Sequence, residues 1–185
     1  ITGINGFVGP YLRKELESHG YTVYGMDLSG DGKNILQCDI TDSVQVESLI
    51  RKIIPTHIFH LAGFSSVSKS FEHPNLCFKI NVEGTKNLLN AIVACDIKPN
   101  ILIVSSSEIY GKPEYNPIDE SHPLVPVSPY GESRLAQEKV CKEYYLPIII
   151  SRSFNHTGPN QKETFVIPSF KKQIKEASNG DTIHV

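Results

Sequence analysis

Thr2-Gly3-Ile4-Asn5-Gly6-Phe7-Val8-Gly9 decides the reading of this chain, because it sets three glycines at intervals of three between a strand residue, Ile1, and a helical pattern. Glycine permits a tight turn, lets the backbone approach a pyrophosphate, and lets the following helix press on a sheet. The helix start near Phe7 and Val8 then offers unpaired N–H groups to an anion. Such a triplet also occurs in plain turns, so the surrounding pattern carries the decision.

Outward from this loop, strand-like and helix-like segments alternate. Residues 21–27, 35–39, 57–62, 101–105 and 147–151 are compact apolar or β-branched runs. Between them, residues 8–19 close at Gly20, residues 42–54 stop before Pro55, and residues 74–95 and 129–145 carry amphipathic helical spacing. Strands joined by crossover helices predict a doubly wound parallel α/β sheet of Rossmann type. With Ile1 counted as the remnant of a first strand, irregular segments 64–73 and 111–128 follow strands four and five at their carboxyl ends, where open α/β sheets hold ligands. Residues 168–178 read as a helix, 179–181 as a turn and 182–185 as a strand that begins and stops. A chain that opens on Ile1 and closes inside a strand is expected to be truncated at both ends.

Composition narrows the function classes. The 185 residues are 39% hydrophobic and 21% charged with net charge -2, which suits a globular domain and disfavours nucleic-acid binding. Lys171, Lys172 and Lys175 read as the wet face of a helix. Cys38, Cys77, Cys95 and Cys141 lie far apart without a CxxC pair, so no metal site or disulfide framework is expected and a reducing cytoplasm fits. No apolar run reaches the roughly 18 residues of a membrane span.

The second strand ends at Asp27, 24 positions after Gly3, where a dinucleotide fold places the carboxylate that holds ribose hydroxyls. An acid there repels a 2′-phosphate and favours NAD over NADP, although aspartate is also an ordinary turn former. Asp39, with Ile40 beside it, stands where it could reach the adenine, or could share a capping role with Thr41 and Asp42.

Thr2 to Gly9, His60-Leu61-Ala62-Gly63, Asn81-Val82-Glu83-Gly84-Thr85, Ser105 to Gly111, Ser128-Pro129-Tyr130-Gly131 and Phe154 to Pro159 together resemble, in order and over almost the whole chain, the extended short-chain dehydrogenases of the NAD-dependent epimerase/dehydratase family. The resemblance implies a nucleotide-sugar substrate, with residues 1–154 binding the dinucleotide and 155–185 beginning the substrate region. It implies that Leu61, Ala62 and Gly63 line the cofactor. Tyr130 would be the acid that exchanges a proton with a sugar oxygen. Tyrosine, with an ordinary pKa of about 10, needs a neighbouring cation for this. The family supplies a lysine four residues later on the same helix face, whereas this chain has Arg134. Arginine keeps the charge but is bulkier and relays no proton, so a shifted or slower site is expected, and Arg134→Lys should preserve or raise turnover.

By the same resemblance, Ser106 aligns the sugar oxygen, Glu108 matches a dehydratase base or is a solvated loop acid, and Asn81 is a relay or a backbone bridge. Ser65, Ser66 and Ser107 join Ser106 toward the sugar. Asn155 and Val166 would meet the diphosphate and the base. The segment Phe154 to Gln161 looks most like the GDP-4-keto-6-deoxymannose reductases and less like the GDP-mannose 4,6-dehydratases, which keep a lysine where this chain has Ser169. A 4-epimerase and a noncatalytic dinucleotide sensor stay as alternatives. The family also implies a homodimer built as a four-helix bundle from segments 74–95 and 129–145.

Overall fold

The computed structural model describes residues 1–178 and 180–183, in two units, Ile1–Phe154 and Asn155–Val185. In the first unit, Thr2 lies between two parallel groups of strands, bridging Met26 on one side and His60 on the other. Beyond Met26 come β1 (Gly25–Asp27) and β2 (Ile35–Gln37); beyond His60 come β3 (His57–His60), β4 (Asn100–Ser106) and β5 (Ile148–Ser153). All pairs are parallel. Strand order therefore reverses at Thr2, which makes the glycine loop after it the switch point of a Rossmann-like sheet.

Several strands are shorter than their apolar runs. The 21–27 run narrows to β1 because a parallel ladder lasts only as long as its partners, here three residues of β2 and Thr2 alone. Helix α1 (Gly9–Ser18) joins Thr2 to β1, moving across the sheet in the direction opposite to the helices that join β3 to β4 and β4 to β5. The right-handed crossover rule therefore places it on the opposite face.

On the other face, α2 (Ser43–Ile53), α5 (Gly84–Ala94) and α6 (Pro129–Cys141) form one layer. Val46, Ile50, Leu88, Leu89, Ile92 and Val140 pack with Ile58, Ile101 and Ile103 of the sheet in one apolar cluster, the main stabilising term of the unit. Asp42 caps α2 by accepting from Val44 N and Gln45 N, and Ser128 caps α6 by accepting from Gly131 N, with Pro129 in the first turn. Helix α6 ends at Cys141, where bonds from Lys142 and Glu143 three residues back tighten the last turn.

Two expectations are corrected. Residues 74–95 are not one α-helix: α4 (Pro74–Phe78) passes through a π turn (Lys79–Glu83) into α5, and the wider turn brings Asn81 and Val82 inward together. Segment 64–73 is not wholly irregular, since Ser66 accepts from Lys69 N and caps α3 (Val67–Glu72). Segment 111–128 carries no helix or strand.

In the second unit, α7 (Val166–Glu176) starts ahead of Pro168, whose missing N–H falls among the free amides of the first turn. Ser178 N donates to the Asp181 carboxylate and Asp181 N to Ser178 O, which close a turn. Thr182 and Ile183 are not in a strand, and the rest of that expected element, His184 and Val185, lies outside the described residues together with Asn179. Among the described residues no helix is long and apolar enough to cross a membrane.

Candidate active site

The glycine loop is wired to both halves of the sheet. Thr2 N donates to Phe59 O and Gly3 N to Met26 O, while Leu61 N returns to Thr2 O. Gly3 has φ +69°, and a Cβ there would stand 2.7 Å from Ala62 N; a Cβ on Gly9 would collide with the Ile4 carbonyl. A Cβ on Gly6 would meet only the Gly3 carbonyl, at 3.0 Å, so this side of the loop stays open to an approaching group. Phe7 sets its ring edge against Tyr11, and Val8 precedes α1.

Asp27 ends β1 with its carboxylate accepting from Asn5 N (2.9 Å) and Leu28 N (2.8 Å), so the loop and the acid are fixed to each other. One oxygen of the Asp39 carboxylate, Oδ1, accepts from the Thr41 amide and hydroxyl within its own turn, and Asp42, not Asp39, caps α2. Ile40 turns its side chain into the core, within 2.8 Å of where a Gly84 Cβ would lie, and its carbonyl accepts from Asn87 Nδ2.

At the end of β4, Ser106 is buried and caps a 3-10 turn (Ser107–Ile109), its Oγ accepting from Glu108 N at 3.2 Å. Ser107 and Glu108 are half-buried in that turn, and the buried Ser105 Oγ has no hydrogen-bond partner. Ser65 is exposed and Ser66 caps α3. Asn155 and Val166 belong to the second unit, Val166 as the first residue of α7.

Tyr130 sits in the first turn of α6, 8% exposed, with its N–H on Ser70 Oγ. One turn on, the Arg134 guanidinium lies over its ring, with Cζ 5.3 Å from the centroid. Arg134 is itself only 4% exposed. Its Nη1 donates to Val104 O and Gln137 Oε1, both at 3.0 Å, and Nη2 to Phe64 O at 3.4 Å, while its Nε is buried without a partner. All three acceptors are neutral, and among the described residues no carboxylate pairs with this cation. Glu138, one helical turn away, instead takes Arg152 through two bonds of 3.1 and 2.9 Å.

Asn81 bridges backbone. Its Oδ1 accepts from Phe64 N at 2.8 Å and its Nδ2 donates to Phe64 O and to Ser133 Oγ, which ties the 63–64 loop to the π turn and α6. A Cβ on Gly63 would fall 2.6 Å from Arg134 Nη2 and 2.9 Å from Asn81 Oδ1, so that glycine gives the guanidinium its place.

Four further residues of the site carry no role in the motif reading: Thr2 through its hydroxyl, His60, Thr85 and Gln137. His60 is fully buried between Thr2 Oγ1 (2.7 Å) and Thr85 Oγ1 (3.0 Å), and Gln137 Nε2 donates to the same Thr85 oxygen. Burial, with the Arg134 charge nearby, pushes the His60 pKa down to about 3, so the ring is neutral. The available signals were a histidine closing an apolar strand and polar residues at helical spacing, Asn81 with Thr85 and Arg134 with Gln137. Cys77 touches Asn81 and Ser133, but burial raises its pKa, and burial pushes Cys141 up to about 12, so neither is poised as a thiolate.

The profile of the GDP-mannose 4,6 dehydratase family matches residues 1–185. GDP-6-deoxy-D-mannose reductase of Pseudomonas aeruginosa is 32% identical over 97% of this chain, which spans 59% of that protein. Among solved structures, RMD from Pseudomonas aeruginosa complexed with NADPH is similar with a TM-score of 0.79 at 32% identity, over 93% of this chain and 59% of that one. UDP-glucose 4-epimerase from Brucella ovis in complex with NAD is similar with a TM-score of 0.79 at 30% identity, over 85% of this chain and 51% of that one. The chain thus spans just over half the length of these proteins, and it belongs to the GDP-mannose 4,6 dehydratase family, within the extended short-chain dehydrogenases.

Proposed function

We propose that this chain forms the dinucleotide-binding and catalytic part of a nicotinamide-dependent oxidoreductase acting on a nucleotide sugar, and that its reaction reduces the 4-keto group of GDP-4-keto-6-deoxymannose. The observation that carries this reading is the buried Arg134 cation lying over the Tyr130 ring without a carboxylate partner among the described residues. Such a charge is costly to bury, and folds keep it where something else uses it. Its unpartnered Nε and the open side of the Gly3 to Gly9 loop fit a dinucleotide, which brings ribose hydroxyls and a pyrophosphate. Residues 1–154 would hold that dinucleotide and 155–185 would begin the nucleotide-sugar region, with Asn155 and Val166 in it.

When bound, NADH would supply the hydride that reduces the sugar C4. Tyr130 would give its phenolic proton to the carbonyl oxygen, which stays on C4 and becomes the 4-hydroxyl. Ser106 hydrogen-bonds that oxygen, and Arg134 stabilises the phenolate left behind. Asp27, fixed at the end of β1, supports NAD over NADP. Ser169 and the 32% identical reductase support reduction over dehydration.

A 4,6-dehydratase is the second reading, favoured by Glu108, half-buried with its N–H on Ser106 Oγ and so placed beside the aligning hydroxyl. Full-length protein supplied with NADH and the 4-keto-6-deoxy derivative should consume both; conversion of GDP-mannose but not of that derivative overturns the reductase in favour of the dehydratase. Dinucleotide binding with no turnover on a panel of nucleotide sugars would instead point to the noncatalytic sensor. We place the protein in the cytoplasm, in keeping with four free thiols, as a homodimer through the α4–α5 and α6 segments, where Leu76 and Val93 are exposed. Sedimentation of the full-length protein checks the dimer.

A further inference from the structure

Arg134 stands at a helical spacing from two residues that could hold it, Gln137 and Glu138, and the fold uses the neutral one. Gln137 is fully buried, and both ends of its amide are committed: Oε1 accepts from Arg134 Nη1, and Nε2 donates to Thr85 Oγ1 at 2.8 Å. The Thr85 hydroxyl gives its own hydrogen to Asn81 O at 2.7 Å. It must therefore accept from His60 Nε2, which fixes that tautomer and leaves His60 Nδ1 to accept from the Thr2 hydroxyl. Thr2 Oγ1 in turn accepts from Ala62 N. Every hydrogen along the chain has one place, and turning the Gln137 amide over would set N–H against N–H.

We infer that Gln137, backed by Thr85 and His60, is the positioning residue for Arg134: it holds the guanidinium over the Tyr130 ring and ties it to Thr2 at the base of the glycine loop. This rests on the reading of Arg134 and Tyr130 as the catalytic pair. The physical reason is geometric. A planar fork carries directed donors: the Val104 and Phe64 carbonyls take one from each terminal nitrogen, and without the Gln137 side chain the second Nη1 hydrogen loses its acceptor and the cation is free to swing between those carbonyls. A carboxylate in place of Gln137 would hold the fork too, but would neutralise the charge that Tyr130 and the dinucleotide are to use.

The test uses full-length protein labelled with ¹⁵N, the Arg134 side-chain signals being identified by their loss in Arg134→Lys. Held by directed acceptors, the guanidinium should give separate, slowly exchanging Nη signals. Gln137→Leu should collapse them, and Gln137→Glu, which keeps an acceptor, should retain them. Signals that are averaged in the parent, or separate in Gln137→Leu, overturn the proposal. If Gln137→Leu does not fold, Thr85→Val decides: it removes the hydroxyl behind the amide and should loosen the same signals, and unchanged signals overturn the role.

In turnover, Gln137→Leu should lower kcat about tenfold with KM for the sugar within about twofold. In the Arg134→Lys background, the same substitution should change kcat less than about twofold. Equal falls in both backgrounds would mean a packing effect and overturn the proposal. A parent with no turnover but with responsive Arg134 signals sinks the reductase reading and supports the positioning role.

Discussion

Helix α6 serves two arginines, Arg134 on its own first turns and Arg152 from β5, and the fold neutralises only one of them. Arg152 is held by both oxygens of Glu138 and donates to Tyr110 OH at 2.9 Å and Glu120 O at 3.3 Å, with its guanidinium 5.2 Å from the Tyr110 ring centroid. Arg134 also lies over a tyrosine, at nearly the same distance, yet among the described residues it has only carbonyl acceptors and an unpartnered Nε. Sequence spacing alone would give Glu138 to Arg134, as an i,i+4 pair. Its diversion to β5 separates a cation that fastens the scaffold from a cation left available to the site.

The contrast breaks most visibly at Arg152. Arg152→Met strands a carboxylate that is only 3% exposed in its side chain, and losing one partner of a buried pair costs about 3–5 kcal/mol. Urea unfolding of the full-length protein should show a large fall in midpoint. Arg134→Met removes a buried charge that has no carboxylate partner among the described residues but also leaves the Val104, Phe64 and Gln137 oxygens without their donor, so stability should fall less than in Arg152→Met while turnover falls on the order of 100-fold. If Arg134→Met unfolds the protein as Arg152→Met does, the two arginines do one job and the catalytic assignment of Arg134 fails.

Acid should sharpen the same distinction, because Arg134 shares its buried chain with a neutral histidine. His60 has a folded pKa of about 3 against an unfolded value near 6.5, so on acidification the unfolded chain takes up the proton first. Stability from this group is complete above about pH 6.5 and drains away toward pH 3, at most about 1.4 kcal/mol per pH unit. His60→Gln should lower stability at pH 7 and flatten that slope; an unchanged slope would show that other groups carry the acid response.

The strand and helix order, the switch point and the glycine loop were legible because period and glycine placement are local properties of a sequence. Tyr130, Ser106 and Arg134 were legible as motif positions. What that reading did not contain were consequences of three-dimensional proximity: the π turn that brings Asn81 and Val82 inward, the pairing of Glu138 with β5, and the chain from Thr2 through His60 and Thr85 to Gln137. Each joins residues from different elements, and a fully buried glutamine looks like any surface helix residue until its neighbours are known. Asp39 combines both of its readings, since its own turn takes Oδ1 through the Thr41 amide and hydroxyl.

Asp27 is the counterpart of Arg134 in sign, a carboxylate bound by two backbone amides and, among the described residues, paired with no cation. Amides fix its position without cancelling its charge, so it should attract ribose hydroxyls by accepting their hydrogens and repel a phosphate in their place. Asp27→Asn keeps the size and one acceptor oxygen while removing the charge. Affinity for NADPH should then rise about tenfold, or about 1.4 kcal/mol, while affinity for NADH falls by less than that. Fluorescence titration of the full-length protein with both dinucleotides reads the two effects side by side. An unchanged NADPH affinity would mean that the charge at Asp27 is screened or turned aside, and the proposed preference for NAD would lose its physical basis while the proposed roles of Arg134 and Arg152 stood.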